Sequence, residues 1–273
     1  MYPPKFDYYR AGSVAEALSL KQQHGGKFMA GGHSLIPVMN LRLADPGVVI
    51  DIGRLPGLKG ISRSNGTVRI GALTTHAMVA ASTDVPAALS EAASWIGDPQ
   101  VRNRGTVGGN VSHADPASDL PTVFTALGAT FHVQGANGTR TVAAKDFFTG
   151  LFETALGEDE LLLAVEVPAN PGGSAYKKLS NPASRYAMVG AAAVVGGGSF
   201  SVAVGGLTPR AMKCASVEAA LAGGYSAADA AAAVLNDIGD DILGDIHASS
   251  DYRRQMAIVY VKRAILEAQS RAS

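Results

Sequence analysis

The chain has 273 residues with 23 basic and 23 acidic side chains, a net charge of zero, whereas a nucleic-acid surface normally shows as a basic excess. Hydrophobic residues make up 47% and charged residues 17%, the latter below the roughly 25% usual in soluble domains, which points to much covered surface, some of it under partner subunits. The lone cysteine, Cys214, excludes an intrachain disulfide, a four-cysteine iron–sulfur cluster and a thiolate zinc site on this chain.

The start MYPPKFDYYR lacks the charged and apolar regions of a signal peptide, and nowhere do 18 apolar residues run uninterrupted, so the expectation is a cytoplasmic chain without a membrane span. Ser13 to Glu16 reads as a capping box for a helix through about Gln23, with Gly25 and Gly26 past its end. Phe28-Met29 is expected as a buried strand, Ile36 to Leu43 as a short helix and Val48 to Ile52 as a second strand. Together these predict a small βαβ unit with the turn Ala30 to Leu35 at its ligand edge. Gly60 to Arg63 and Thr67 to Ile70 alternate around Asn65-Gly66, a hairpin signal. Helices are expected near 74–82 and 86–95, with Trp95 in the core, and over 116–127. A second hairpin follows at Ala129–Val133 and Thr139–Val142, then an apolar strand at Leu161–Val167. Past the linker 169–173, strands are predicted at 175–179, 188–195 and 200–205, then helices at about 216–222, 226–236 and 249–270. The last helix places Tyr252, Met256, Val259, Tyr260, Arg263 and Leu266 at helical spacing.

Ile96 to Pro121 organises the rest. It holds four glycines, Gly97, Gly105, Gly108 and Gly109, and three prolines, so it reads as a long loop that builds little core. Such a backbone lets peptide N–H groups approach a ligand and allows φ > 0. A plain connecting loop is the competing reading. The turn Ala30-Gly31-Gly32-His33-Ser34-Leu35, between a strand and a helix, is a second stretch of the same type and favours an anion cradle. Neither stretch is GxGxxG or GxxxxGK[ST], so a Rossmann fold and a P-loop are disfavoured. His33 and His113 flank these turns without a carboxylate pair or an i, i+4 arrangement, which argues against metal or acid–base roles. Cys214, near Lys213 and Arg210, is either a lowered-pKa thiol or an inert buried one.

AGGHSL at 30–35, TVGGN at 106–110 and SDLP at 118–121 resemble the FAD-binding medium subunits of the molybdenum hydroxylases, of the carbon monoxide dehydrogenase type. The resemblance covers nearly the whole chain, including DIHASSDYRRQMA at 245–257. It implies an α+β fold with two FAD-binding subdomains of the vanillyl-alcohol-oxidase-like kind, about 1–56 and 57–170, and a C-terminal domain, 174–273, of a three-stranded sheet with helices. Carried over residue by residue, Ala30, Gly31, Gly32, His33, Ser34, Leu35 and Thr106, Val107, Gly108, Gly109, Asn110 would cradle the pyrophosphate and adjoining oxygens. Asp119 would accept from a ribityl or sugar hydroxyl, with helix capping as its plain alternative. Leu162 and Lys178 would lie against the isoalloxazine, and Tyr186 would cover its face. Asn181-Pro182-Ala183 departs from the more basic run of relatives.

The resemblance further implies a small partner subunit carrying 2Fe-2S clusters and a large one carrying the molybdenum–pterin cofactor, as a dimer of heterotrimers. Electrons would pass from the clusters to FAD and on to an external acceptor. Two rivals are a stand-alone flavin oxidase and a non-redox nucleotide-binding assembly module.

Overall fold

In the computed structural model, which describes residues 2–272, strand β1 (Asp7–Arg10) opens a three-stranded parallel sheet. Helix α1 (Val14–His24), strand β2 (Lys27–Met29), helix α2 (Leu35–Asn40) and strand β3 (Val48–Asp51) complete it in the order β1-β3-β2. β1 carries no alternating apolar pattern and was not expected; its Tyr8 hydroxyl donates to Asp51 Oδ2 at 2.5 Å. Ser13 caps α1 by accepting from the Glu16 N–H, while the Glu16 carboxylate reaches the N–H of Gly12. β2 is an edge strand, so Phe28 and Met29 are half-buried rather than buried.

A five-stranded antiparallel sheet, β4-β5-β10-β6-β7, follows. Its members are β4 (Ile61–Ser64), β5 (Thr67–Gly71), β6 (Thr130–Gly135), β7 (Gly138–Ala143) and β10 (Leu161–Pro168), with the expected hairpins at β4–β5 and β6–β7. Between them lie α3 (His76–Ala80), α4 (Ala87–Trp95), α5 (Pro99–Arg104), α6 (Val107–His113), α7 (Asp119–Leu127), α8 (Ala144–Phe147) and the small pair β8 (Phe148–Gly150) and β9 (Glu153–Thr154). α7 is buried at every position. Phe131 stacks on Phe147 with centroids 3.9 Å apart and meets Phe124 and Phe148 edge-on.

The last sheet runs β11 (Gly173–Ser180), β12 (Ala187–Gly196), β13 (Ser199–Gly205) and a two-residue β14 (Met212–Lys213) that adds a fourth strand to the three expected. Side chains alternate across a strand, and β12 uses both faces. Ala192 and Val194 join Tyr176 in the core built on α7, while Val189, Ala191 and Ala193 face the core formed with α9 (Ala215–Ala222), α10 (Ala227–Ala232), α11 (Val234–Ile238) and α12 (Ser250–Ala272). The architecture is the expected α+β. Among the described residues no helix is long and apolar enough to cross a membrane.

Two further expectations about side-chain placement fail. α12 buries Arg253, Ala257, Val261, Ala264, Ile265 and Ala268, not the bulky stripe containing Tyr252 and Leu266, which stand half exposed. The cause is close approach: a Cβ at Gly173 would lie 2.0 Å from the Ala268 carbonyl oxygen, so the face lying on β11 and β12 has room mainly for small side chains. Trp95 is 48% exposed, because the buried stripe of α4 is Ala88, Leu89, Ala92 and Ala93 and it is Ile96 that continues onto the core. Ala264→Leu is therefore expected to destabilise the isolated chain by about 1–3 kcal/mol through overpacking, whereas Leu266→Ser stays within about 0.5 kcal/mol; urea unfolding midpoints of the two variants measure this.

Candidate functional site

The first glycine turn is shaped by what lies behind it. A Cβ at Gly31 would sit 2.1 Å from the Arg104 carbonyl oxygen, and Gly32 adopts φ +75°, so both positions require glycine. The turn closes when Ile36 N–H donates to the Gly32 carbonyl at 3.0 Å, and His33 Nδ1 pairs with the Gly31 carbonyl at 3.0 Å. The N–H groups of Gly32, His33, Ser34 and Leu35 have no acceptor among the described residues. α2, which follows, has six residues. The open donors belong to the turn rather than to a long helix dipole.

The second motif is not a loop. Asp98 caps α5 by accepting from Val101 N–H, and Thr106 caps α6 by accepting from Gly109 N–H. Val107 and Val111 are fully buried, so the stretch contributes core after all. Val107 N–H donates to the Thr74 carbonyl and Gly108 N–H to the Ala72 carbonyl, at 2.9 and 2.8 Å. These donors hold α6 against the turn that follows β5 and are not offered to a ligand. Gly105, Gly108 and Gly109 have ordinary negative φ values; what two of them supply is closeness. A Cβ at Gly108 would meet Ala72 at 2.6 Å and one at Gly105 the His76 ring at 2.8 Å. Gly109 alone is exposed, and a Cβ there would stand 2.9 Å from its own cap, Thr106 Oγ1, and 3.8 Å from Ala30 Cβ across the seam. The two motifs therefore face each other, one with open N–H groups and the other as a wall bare of side chains.

Along the same edge, Asn110 Nδ2 donates to Ser118 Oγ at 3.2 Å, while its buried Oδ1 has no partner. Next to Ser118, Asp119 begins α7 with its carboxylate engaged: Lys178 Nζ lies 2.8 and 3.0 Å from its two oxygens, and the Tyr176 hydroxyl donates at 2.7 Å. Burial raises the Asp119 carboxyl, opposed by the Lys178 ammonium and the two donated hydrogen bonds. Lys178 also donates to the carbonyls of Trp95 and Arg185, and its side chain is fully buried. In this structure each of the two charges satisfies the other inside the protein. Leu162 likewise lies in the core, at a register shift between β10 and β6. Tyr186 is 46% exposed. The N–H of Ala187, which follows it, donates to the Ala117 carbonyl at 3.1 Å, so the tyrosine borders the segment joining α6 to α7.

Residues 4–170 match the family described as "FAD binding domain in molybdopterin dehydrogenase", and residues 174–268 match "CO dehydrogenase flavoprotein C-terminal domain". The chain belongs to the FAD-binding subunit family of the molybdenum hydroxylases. It is 40% identical over 292 residues to the carbon monoxide dehydrogenase medium chain of Hydrogenophaga pseudoflava, covering 100% of both. It is 39% identical to the 6-hydroxypseudooxynicotine dehydrogenase complex subunit alpha of Paenarthrobacter nicotinovorans, covering 100% of this chain and 97% of the relative. The solved carbon monoxide dehydrogenase from Hydrogenophaga pseudoflava that lacks the Mo-pyranopterin moiety of its cofactor superposes with a TM-score of 0.91 at 40% identity, covering 100% of each chain. As a member of this family, the chain is a flavoprotein subunit of a molybdenum-containing oxidoreductase.

The donor set suits the dinucleotide that names the family. Open N–H groups could donate to an anion without added charge, the bare face at Gly109 leaves room for its approach, and the orphaned Asn110 Oδ1 is an acceptor available to a hydroxyl. A surface hollow of about 450 Å³ lies elsewhere, between the β6–β7 turn and residues 157–160; its rim of loop residues lacks these features. Cys214 is inert rather than activated, since burial together with Asp237 and Glu218 pushes its thiol well up. His113 packs on Phe152 with centroids 5.1 Å apart, and burial lowers its pKa.

One residue of this flavoprotein carried no sequence signal. His76 starts α3 behind Gly105, is 3% exposed, and has a buried Nδ1 without a partner. Burial, with His33 and Arg102 nearby, pushes it down from 6.5 to about 4. The native state then binds fewer protons than the unfolded chain between those values, so this contribution to stability is full above about pH 6.5 and is lost as the pH falls toward about 4. Between about pH 7 and about pH 4.5, His76→Gln is expected to lose about 2 kcal/mol less stability than the parent chain. Urea titrations at the two pH values read the difference.

Proposed function

We propose that this chain binds one FAD noncovalently and relays electrons within a molybdenum hydroxylase, from iron–sulfur clusters of a small subunit to an external acceptor. The apposition of the open N–H groups at Gly32 to Leu35 with the exposed Gly109 supports this reading most directly. In it, segments 1–56 and 57–170 form two FAD-binding subdomains that meet along this seam, and segment 174–273 contributes Tyr186 to the flavin face. Ala30 to Leu35 and Thr106 to Asn110 hold the pyrophosphate and neighbouring oxygens, the former by donating and the latter by leaving space. Leu162, Asp119 and Lys178 lie behind these surfaces. Bound FAD supplies the conversion between paired and single electrons; the residues named here hold and orient it and limit access of water to it.

Substrate oxidation belongs to the molybdenum-bearing large subunit, and the assembly is a cytoplasmic dimer of heterotrimers. Within this chain the lone thiol is buried in the second core, in keeping with noncovalent attachment. The choice of substrate, whether carbon monoxide, a purine, an aldehyde or an N-heterocycle, is accordingly made on another chain. The isolated chain is expected to retain FAD that acid precipitation releases to the supernatant, and to oxidise none of the complex's substrates with it. Turnover by the isolated chain would make it a stand-alone oxidase.

Gly109→Val puts a branched side chain in the approach and crowds only the Thr106 hydroxyl, 2.9 Å from the new Cβ, so flavin absorbance per chain should fall to near zero while circular dichroism stays that of the parent. Parental flavin content in this variant would refute the cradle. Gly108→Val, which collides with the Ala72 backbone, should instead lower stability, and serves as the contrast.

A further inference from the structure

Lys178 raises a question that the flavin reading leaves open. Its ammonium is enclosed, and its acceptors are the two Asp119 oxygens at 2.8 and 3.0 Å, the Trp95 carbonyl at 3.2 Å and the Arg185 carbonyl at 2.6 Å. An ammonium has three N–H donors and no acceptor, so these partners use all of it. The shortest contact goes to Arg185, which directly precedes Tyr186. Arg185 has φ +61°, the left-handed region that side chains other than glycine adopt only when their surroundings impose it.

The segment joining β11 to β12 shows how it is imposed. Asn181 N–H donates to the Tyr186 carbonyl and Arg185 N–H to the Asn181 carbonyl, while Asn181 Oδ1 accepts from the N–H groups of Ala183 and Ser184. This closes a tight loop whose residues 182–186 are all exposed. The loop's own bonds fix its neck. A charge-assisted hydrogen bond from beneath fixes the Arg185 peptide, and with it the direction in which Tyr186 leaves the backbone.

Resting on the reading that Tyr186 covers the flavin face, we infer that Lys178 is a positioning residue for Tyr186. The buried ammonium, charge-balanced by Asp119, holds the Arg185 carbonyl down, and the left-handed turn that results presents the Tyr186 ring to the flavin. Without it, Arg185 relaxes to an ordinary backbone conformation and the ring turns away.

The test uses the FAD-loaded chain and flavin fluorescence, which an electron-rich phenol stacked on the ring quenches. Removing Lys178 alone would strand the Asp119 carboxylate, so the variant is the neutral pair Lys178→Met with Asp119→Asn, measured beside Tyr186→Ala and the triple combination. The inference expects the neutral pair to keep its FAD, to lose quenching to the level of Tyr186→Ala, and to show no further loss in the triple variant. Parental quenching in the neutral pair would overturn it, and a lowered flavin midpoint potential beside it would mark a cation acting directly on the flavin. Additive loss in the triple variant would overturn it as well. Should the neutral pair not fold, a second neutral pair, Lys178→Leu with Asp119→Asn, carries the same comparison, since it too removes both charges together. A parent chain that binds no FAD would defeat the flavin-site reading itself, a result visible before any variant is made.

Discussion

A carboxylate and an ammonium have been taken out of water together at the first residue of a helix that is buried along its whole length. Asp119 and Lys178 are far apart in sequence and contributed by different sheets' neighbourhoods, α7 and β11. Moving either charge inside alone is prohibitive, and removing one partner of such a pair costs about 3–5 kcal/mol. Here the arrangement also has a donor in reserve: burial and the adjacent carboxylate push the Tyr176 phenol well up, so it stays protonated and donates to Asp119. The α7 N-terminus adds favourable backbone dipoles around the carboxylate. The register of the C-terminal sheet against the flavin-side core is thereby tied to a single polar contact set, with apolar packing filling in around it.

That sheet ties the two cores together. With Ala192 and Val194 on one face of β12 and Val189, Ala191 and Ala193 on the other, a change in the strand is felt both by α7 and by α12. The small side chains that allow α12 to lie so close leave little slack to absorb it. Arg253 adds a polar tie at the start of α12, donating to the Gly206 carbonyl at 2.8 Å and pairing with Asp245.

Much of this was legible in the sequence where local chemistry decides structure. The Asn65-Gly66 hairpin, the Ser13 cap and the strand–turn–helix around AGGHSL all appear where periodicity and turn residues place them. The glycine motifs and the family they resemble were recognisable as strings. Tertiary packing decided what was missed. α5 and α6 hide in a glycine-rich stretch because Gly105 and Gly108 serve close approach to His76 and Ala72, a use that composition cannot distinguish from a loop. The face of α12 was misread because large apolar residues dominate a periodicity count, whereas the sheet beneath admits small ones. The pairing of Asp119 with Lys178 carries no sequence signal, since nothing local reveals that two residues so distant in sequence will neutralise each other. His76 had no signal at all, being one histidine in GALTTHAMV.

The open N–H groups of the first turn have a consequence for handling and for metabolism alike. Recognition by main chain selects for an anion's shape and charge more than for its identity, so on the proposed reading inorganic phosphate or sulfate in the surroundings would compete for the same donors. Apparent cofactor affinity then depends on the solvent's anion content, and a phosphate-rich buffer would favour an empty chain that a chloride or acetate buffer would let fill. Newly made chains would meet the same competition, which would set a floor on the FAD concentration needed to load them.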